Sequence, residues 1–133
     1  MGDVDRIEGG AGNDRIFGGA AGDVISDAGG DNTVFGDHGE IDGSDRRTTD
    51  LTGGSDLITT GGGNDVIFGG ALGDRVSSSG GNNIVFGDFG EVAGSLMRTT
   101  DPDGGSDVIT TGGGNDVIFG GALGDRVSSS GGN

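Results

Sequence analysis

Asp or Asn recurs at nine-residue intervals along this chain, and Ile or Val always stands two places later. Let Gly9-Gly10-Ala11-Gly12-Asn13-Asp14-Arg15-Ile16-Phe17 define positions one to nine. Position six then falls on Asp5, Asp14, Asp23 and Asn32, on Asp56, Asp65, Asp74 and Asn83, and on Asp107, Asp116 and Asp125. Position eight is Ile7, Ile16, Ile25, Val34, Ile58, Ile67, Val76, Val85, Ile109, Ile118 and Val127. One branched apolar residue in nine, set among glycines, cannot form the stripe of an amphipathic helix. Positions seven to nine instead read as a three-residue strand, with the middle side chain on one face and its neighbours on the other. Two nines then close one coil, and stacked coils bring position eight into a thin core between two sheets. The expected fold is all-β: a parallel β-roll, or β-solenoid, with two short-stranded parallel sheets.

A longer repeat encloses the short one. Residues 59–82 recur unchanged at 110–133, an offset of 51, and Gly12-Asn13-Asp14 aligns with Gly63-Asn64-Asp65 one offset earlier. Four nines fill 36 residues of each 51, which leaves an insert of 15. Nonapeptide blocks are expected at about 1–35, 51–86 and 102–133, and inserts at about 36–50 and 87–101. Residue 133 stands where the second copy goes on with Asn83-Ile84-Val85-Phe86, so the chain reads as one solenoid segment of a longer array.

The formal net charge is −15, from 22 acidic and 7 basic residues. That balance opposes binding to nucleic acid or anionic lipid, which calls for a basic face. Strong acidity with few aromatics is also the signature of disorder. The phased order of the residues argues for the other solution, in which cations neutralise the acids of a folded chain. Cys is absent, which excludes disulfides and thiolate metal sites. No apolar run approaches the ~20 residues of a membrane helix, so membrane insertion is not expected. Gly2, Asp3, Val4, Asp5 and Arg6 after Met1 do not read as a secretory leader.

Each turn carries a position-six side chain and several backbone carbonyls to one edge of the coil. Such oxygen donors suit Ca²⁺, which takes 6–8 of them at about 2.3–2.6 Å. Stacking at ~4.8 Å sets the Asp residues of an edge in a column, where calcium between coils relieves their repulsion and crosslinks the stack. On one edge Asp5 should pair with Asp23, Asp56 with Asp74, and Asp107 with Asp125. On the other, Asp14 meets Asn32, Asp65 meets Asn83, and Asp116 begins the next pair. Glycines of positions two and four, whose backbone the turn exposes, complete the candidate calcium ligands: Gly10, Gly12, Gly19, Gly54, Gly61, Gly63, Gly70, Gly105, Gly112, Gly114 and Gly121. Asn32 and Asn83 offer one neutral oxygen each, so sites built on them are expected to be weaker.

The pattern resembles the Gly-Gly-x-Gly-x-Asp-x-apolar-x nonapeptide of the RTX (repeats-in-toxin) family, a Ca²⁺-binding β-helix repeat. Residues 9–14 fit it fully, while 60–65 and 111–116 carry Thr at position one. In the third nine of each copy, position four is Ala21, Leu72 or Leu123, and the glycine moves to position five. The resemblance implies a parallel roll, several calcium ions per chain, and a secreted or cell-surface bacterial setting.

Other chemistry finds little footing. His38 is the only histidine and has no Ser or Cys partner at a recognisable elbow, so no triad is expected and the chain does not read as an enzyme. No phosphate-loop motif occurs. Thr59-Thr60 and Thr110-Thr111 recur once per 51 residues, too sparsely for an ice-binding ladder. Two functions remain: a calcium-rigidified structural or adhesive segment of a large secreted or surface protein, or the calcium-dependent folding and secretion domain of a secreted protease or lipase. Position nine adds one more expectation. Phe17, Phe35, Phe68, Phe86 and Phe119 should share the outer face of one sheet, where the inserts cover them, another chain associates with them, or they stay exposed.

Overall fold

The computed structural model describes residues 2–132; residues 1 and 133, the outer ends of the first and last blocks, lie outside it. Positions seven to nine form strands throughout. In chain order they are β1 (Arg6–Glu8), β2 (Arg15–Phe17), β3 (Val24–Ser26) and β4 (Thr33–Phe35), then a hairpin of β5 (Gly39–Asp42) and β6 (Asp45–Thr48). The second copy supplies β7 (Leu57–Gly62), β8 (Val66–Phe68), β9 (Arg75–Gly80), β10 (Ile84–Phe86) and a hairpin of β11 (Gly90–Ala93) and β12 (Leu96–Thr99). The third adds β13 (Val108–Gly113), β14 (Val117–Phe119) and β15 (Arg126–Ser129). No helix occurs among the described residues, and so none long enough to cross a membrane.

Alternate strands build two parallel sheets, in the orders β1-β3-β7-β9-β13-β15 and β2-β4-β8-β10-β14. Arg6 pairs with Val24, 18 residues on, so two nines make a coil; Val24 pairs with Leu57, 33 on, because a hairpin intervenes. The register keeps position eight beside position eight, as in Ile58 with Val76 and Ile67 with Val85. These side chains meet between the sheets as one core of Ile16, Ile25, Val34, Ile58, Ile67, Val76, Val85 and Ile109, flanked by Ile7 and Ile118. Full burial of each contributes about 1.5–3 kcal/mol.

The inserts form a third layer. Each is a hairpin with a two-residue turn led by glycine, at Gly43 with φ 61° and Gly94 with φ 60°, the conformation a type II′ turn needs. The two hairpins also pair with each other: β6 runs antiparallel to β11, with Arg46 opposite Val92 and Arg47 opposite Glu91. The resulting four-stranded sheet lies over the outer face of the β2–β14 sheet. Between them sits a second core of Phe35, Val66, Phe68, Phe86 and Val92, with Ile41, Ile84, Met97 and Phe119 packed against it. Gly39 and Gly90 permit this approach, since a Cβ on either would enter the ring of Phe35 or Phe86.

All five position-nine phenylalanines stack in one column, with centroids 4.6–5.0 Å apart and ring planes 4–7° from parallel. Phe35, Phe68 and Phe86 are fully buried, whereas Phe17 is 42% exposed. The inserts therefore cover the middle of the stripe. Phe68→Ser is expected to destabilise the calcium-loaded chain by about 3–5 kcal/mol, the range for emptying a buried aromatic site. Phe17→Ser should cost far less. Thermal melts of the two variants check this, and similar losses would contradict the covering role of the hairpins.

Candidate metal centre

The turns of the roll fall on two edges, and the position-six side chains form a ladder along each. On the first edge the column runs Asp5, Asp23, Asp56, Asp74, Asp107, Asp125. From Asp23 onward Oδ1 of each carboxylate accepts the backbone N–H of the preceding Asp: Asp5 N donates to Asp23 at 2.7 Å, Asp23 to Asp56 at 2.6 Å, Asp56 to Asp74 at 2.8 Å, Asp74 to Asp107 at 2.8 Å and Asp107 to Asp125 at 3.0 Å. One oxygen thus ties two coils together. The other, Oδ2 of Asp23, Asp56, Asp74 and Asp107, is buried with no hydrogen-bond partner. Buried charge of this kind is costly unless something pairs with it.

Oδ2 points at position one. A Cβ added to Gly36 would collide with Asp56 Oδ2 and the Gly69 carbonyl; one on Gly69 would meet Asp74 Oδ2 and the Gly87 carbonyl; one on Gly87, Asp107 Oδ2 and the Gly120 carbonyl. In space Gly36 and Gly87, counted above as the first residues of the inserts, take the position-one place that the sequence count gives to Leu51 and Pro102, and these glycines, like Gly69, face a carboxylate oxygen of their own turn and a carbonyl of the next coil. Such an all-oxygen cradle fits Ca²⁺. Among the described residues no group of three or more His, Cys, Asp or Glu side chains gathers around one point, so backbone carbonyls must supply part of any coordination shell.

Burial and the stacking of like charges shift these acids together. Asp74 is pushed up to about 9, and Asp56 and Asp107 to about 7, by burial first and then by neighbouring carboxylates. These folded values lie above the usual 3.8, so the metal-free fold holds protons more tightly than the unfolded chain does. Its stability is fullest below about pH 4 and is lost as pH rises through 7 to 9. In chelator, β-sheet circular dichroism should therefore grow as the pH is lowered from 8 to 5. Calcium affinity should instead rise with pH, because the ion displaces protons. A metal-free signal that strengthens with pH would reverse this sign and defeat the reading.

The second edge is built differently. Its position-six column is Asp14, Asn32, Asp65, Asn83, Asp116. The same ladder runs along it, from Asp14 N to Asn32 Oδ1 at 2.9 Å and at 3.0 Å through Asn32 to Asp65, Asp65 to Asn83, and Asn83 to Asp116. The amides also donate: Asn32 Nδ2 reaches Asp27 Oδ2 at 2.7 Å and Asp65 Oδ1 at 3.1 Å, and Asn83 Nδ2 reaches Asp116 Oδ1 at 3.1 Å. Position one here is Gly9, Asp27, Thr60, Ser78, Thr111 and Ser129 in place of the unbroken glycines of the first edge.

The candidate glycines shape the turns. Gly10, Gly12, Gly19, Gly63, Gly70, Gly114 and Gly121 have φ between 105° and 134°, a region closed to most side chains. Gly54, Gly61, Gly105 and Gly112 pass so close to the backbone of the preceding coil that a Cβ would overlap it. Ala21, Leu72 and Leu123 keep position four left-handed, at φ 92°, 68° and 68°, without a glycine.

Two acids escaped the periodic reading because they begin the inserts. Asp37 Oδ1 accepts Gly54 N–H at 3.0 Å and its Oδ2 accepts Ala71 N–H at 2.6 Å; Asp88 makes the equivalent bonds with Gly105 at 2.7 Å and Ala122 at 2.6 Å. Each clamps the root of a hairpin to the two following turns. Burial pushes Asp37 up to about 6 and raises Asp88 as well. Their place directly after Gly36 and Gly87, where the other first-edge turns have Gly19, Gly70 and Gly121, is the signal the sequence offers.

The family model of the RTX calcium-binding nonapeptide repeat (four copies) matches residues 2–34, 17–40, 51–76, 73–91 and 103–133. The chain belongs to that family of non-catalytic calcium-binding modules. The comparison with curated proteins finds no match, and neither does that with solved structures.

Substitution separates the two edges. Asp74→Ala removes an Oδ2 from the cradle and strands the buried Asp56 N–H, so the calcium midpoint should rise about tenfold or more, on the ~1.5–3 kcal/mol of a hydrogen bond to a charged group. Asn83→Ala should raise it less. Equal shifts in a calcium titration would contradict the distinction between the edges.

Proposed function

We propose that this chain is a calcium-rigidified structural or adhesive stretch of a larger secreted or surface protein of bacteria, with the 51-residue unit and its 15-residue insert as the module. The single observation that carries the reading is the first-edge column of Asp carboxylates. From Asp23 to Asp125 each holds two coils through Oδ1, and the buried Oδ2 of four of them faces a backbone carbonyl. Calcium ions seated along this column would neutralise it and lock coil to coil. The second edge, where Asn32 and Asn83 interrupt Asp14, Asp65 and Asp116, carries less charge and would bind calcium more weakly. Calcium-dependent folding of a secreted enzyme would use the same chemistry. Pairing of β6 with β11 favours the structural role, because it joins successive copies side by side as well as through the roll. Burial of the Phe35–Phe86 stretch favours an internal use of that face over association between chains.

Circular dichroism at neutral pH tests the central claim. The chain should lack a β signal in chelator and gain it on calcium addition, in the ~10⁻⁴–10⁻³ M range of extracellular calcium modules. A full β signal in chelator would overturn it.

A further inference from the structure

The second edge contains one place where the cradle of the first edge reappears, with a carboxylate in place of the carbonyl. Gly9 has no side chain, and a Cβ there would strike Asp27 Oδ1 and lie 3.2 Å from Asp14 Oδ2. Both oxygens are buried without a hydrogen-bond partner, and Asp27 as a residue is only 5% exposed. Its other oxygen is fixed: Gly29 N–H donates to Asp27 Oδ2 at 2.9 Å and Asn32 Nδ2 at 2.7 Å. These bonds aim Oδ1 into the space beside Gly9.

The later copies show what this space does when it is not kept open. Gly9 corresponds to Thr60 and Thr111, and Asp27 to Ser78 and Ser129, each 51 residues on. Thr60, Thr111 and Ser78 are buried, so branched and hydroxyl side chains fill the place that Gly9 leaves free. Ser129 Oγ lies 3.5 Å from Asp116 Oδ2, the counterpart of the Asp27–Asp14 approach. The first copy thus differs from the later ones at both members of the pair. Glycine stands where the later copies have Thr, and an acid facing another acid stands where they have Ser.

We propose that Gly9, Asp14 and Asp27 form a divalent-cation site of the second edge, with Asp27 Oδ1 and Asp14 Oδ2 as its side-chain ligands. Two buried carboxylates supply a full charge match for one divalent ion, and an irregular set of oxygens suits Ca²⁺ better than the strict octahedron of Mg²⁺. This rests on the calcium reading of the roll and adds a ligand at position one.

Calcium stoichiometry of the whole chain, by isothermal titration with calcium chloride, tests it. Asp27→Ser, which installs the residue of the later copies, should lower the bound calcium by one equivalent and leave the calcium-loaded β signal in place. Asp31→Ser, which removes an exposed acid nearby, should leave the count unchanged. An unaltered count in Asp27→Ser, or the same loss in Asp31→Ser, overturns the site. If Asp27→Ser loses its β signal, Asp27→Asn decides: one equivalent lost with the fold kept supports the site, and no loss overturns it. A wild-type chain that takes up no calcium would defeat the broader reading instead, so the two failures are distinct.

Discussion

Each first-edge carboxylate serves two coils at once, and the roll depends on that double attachment. A nine-residue half-coil with a single apolar side chain has too little core to hold itself closed. The Oδ1 bond to the preceding Asp N–H fixes the rise from coil to coil, and the same placement drives Oδ2 into the interior beside like charges. Geometry and electrostatics are therefore opposed within one side chain. The metal-free roll resolves the conflict by holding protons on Asp56, Asp74 and Asp107. A divalent ion resolves it without acid.

The hairpin layer meets a different need. A two-sheet roll with one Ile or Val per half-coil exposes everything at positions seven and nine. On the β1–β15 sheet, position nine is polar, as at Ser26, Thr59 and Ser77. On the β2–β14 sheet it is Phe, and the inserts turn that face into a second interior. Arg46 reaches across to Thr33 Oγ1 at 2.7 Å, while Arg47 pairs with Glu40 and Arg98 with Glu91 on the outer surface. Such exposed pairs contribute at most about 1 kcal/mol each. The aromatic column holds the layer far more firmly.

The nine-residue phase made the strands, the position-eight core and the first-edge pairing legible, because parallel stacking repeats local sequence faithfully. The Phe column followed from the alternation of position nine. Pairing of β6 with β11 was not legible: it depends on how far apart two inserts sit on the finished roll, which no local pattern encodes. The carbonyl opposite Oδ2 belongs to position one, whereas the sequence directed attention to positions two and four, since glycine there advertises its freedom. Leu72 and Leu123 stand where the motif has a glycine. Their turns stay left-handed because the coils above and below impose it, at about 1–2 kcal/mol for each residue. Asp37 and Asp88 lie between two periodicities, and neither one marks them.

Identical coils carry a hazard of their own, and the hairpins answer it. Residues 59–82 and 110–133 have the same sequence, so nothing within these strands tells β8 from β14 when the chain first collapses. A strand could dock one copy out of place and satisfy every bond of the ladder. The hairpins break the degeneracy. The first carries Ile41, Arg46 and Arg47, the second Val92, Leu96 and Met97, and only the native order sets Arg46 beside Val92 and Glu91 beside Arg47. The inserts thus act as labels of copy number, giving an otherwise uniform stack an unambiguous order of assembly.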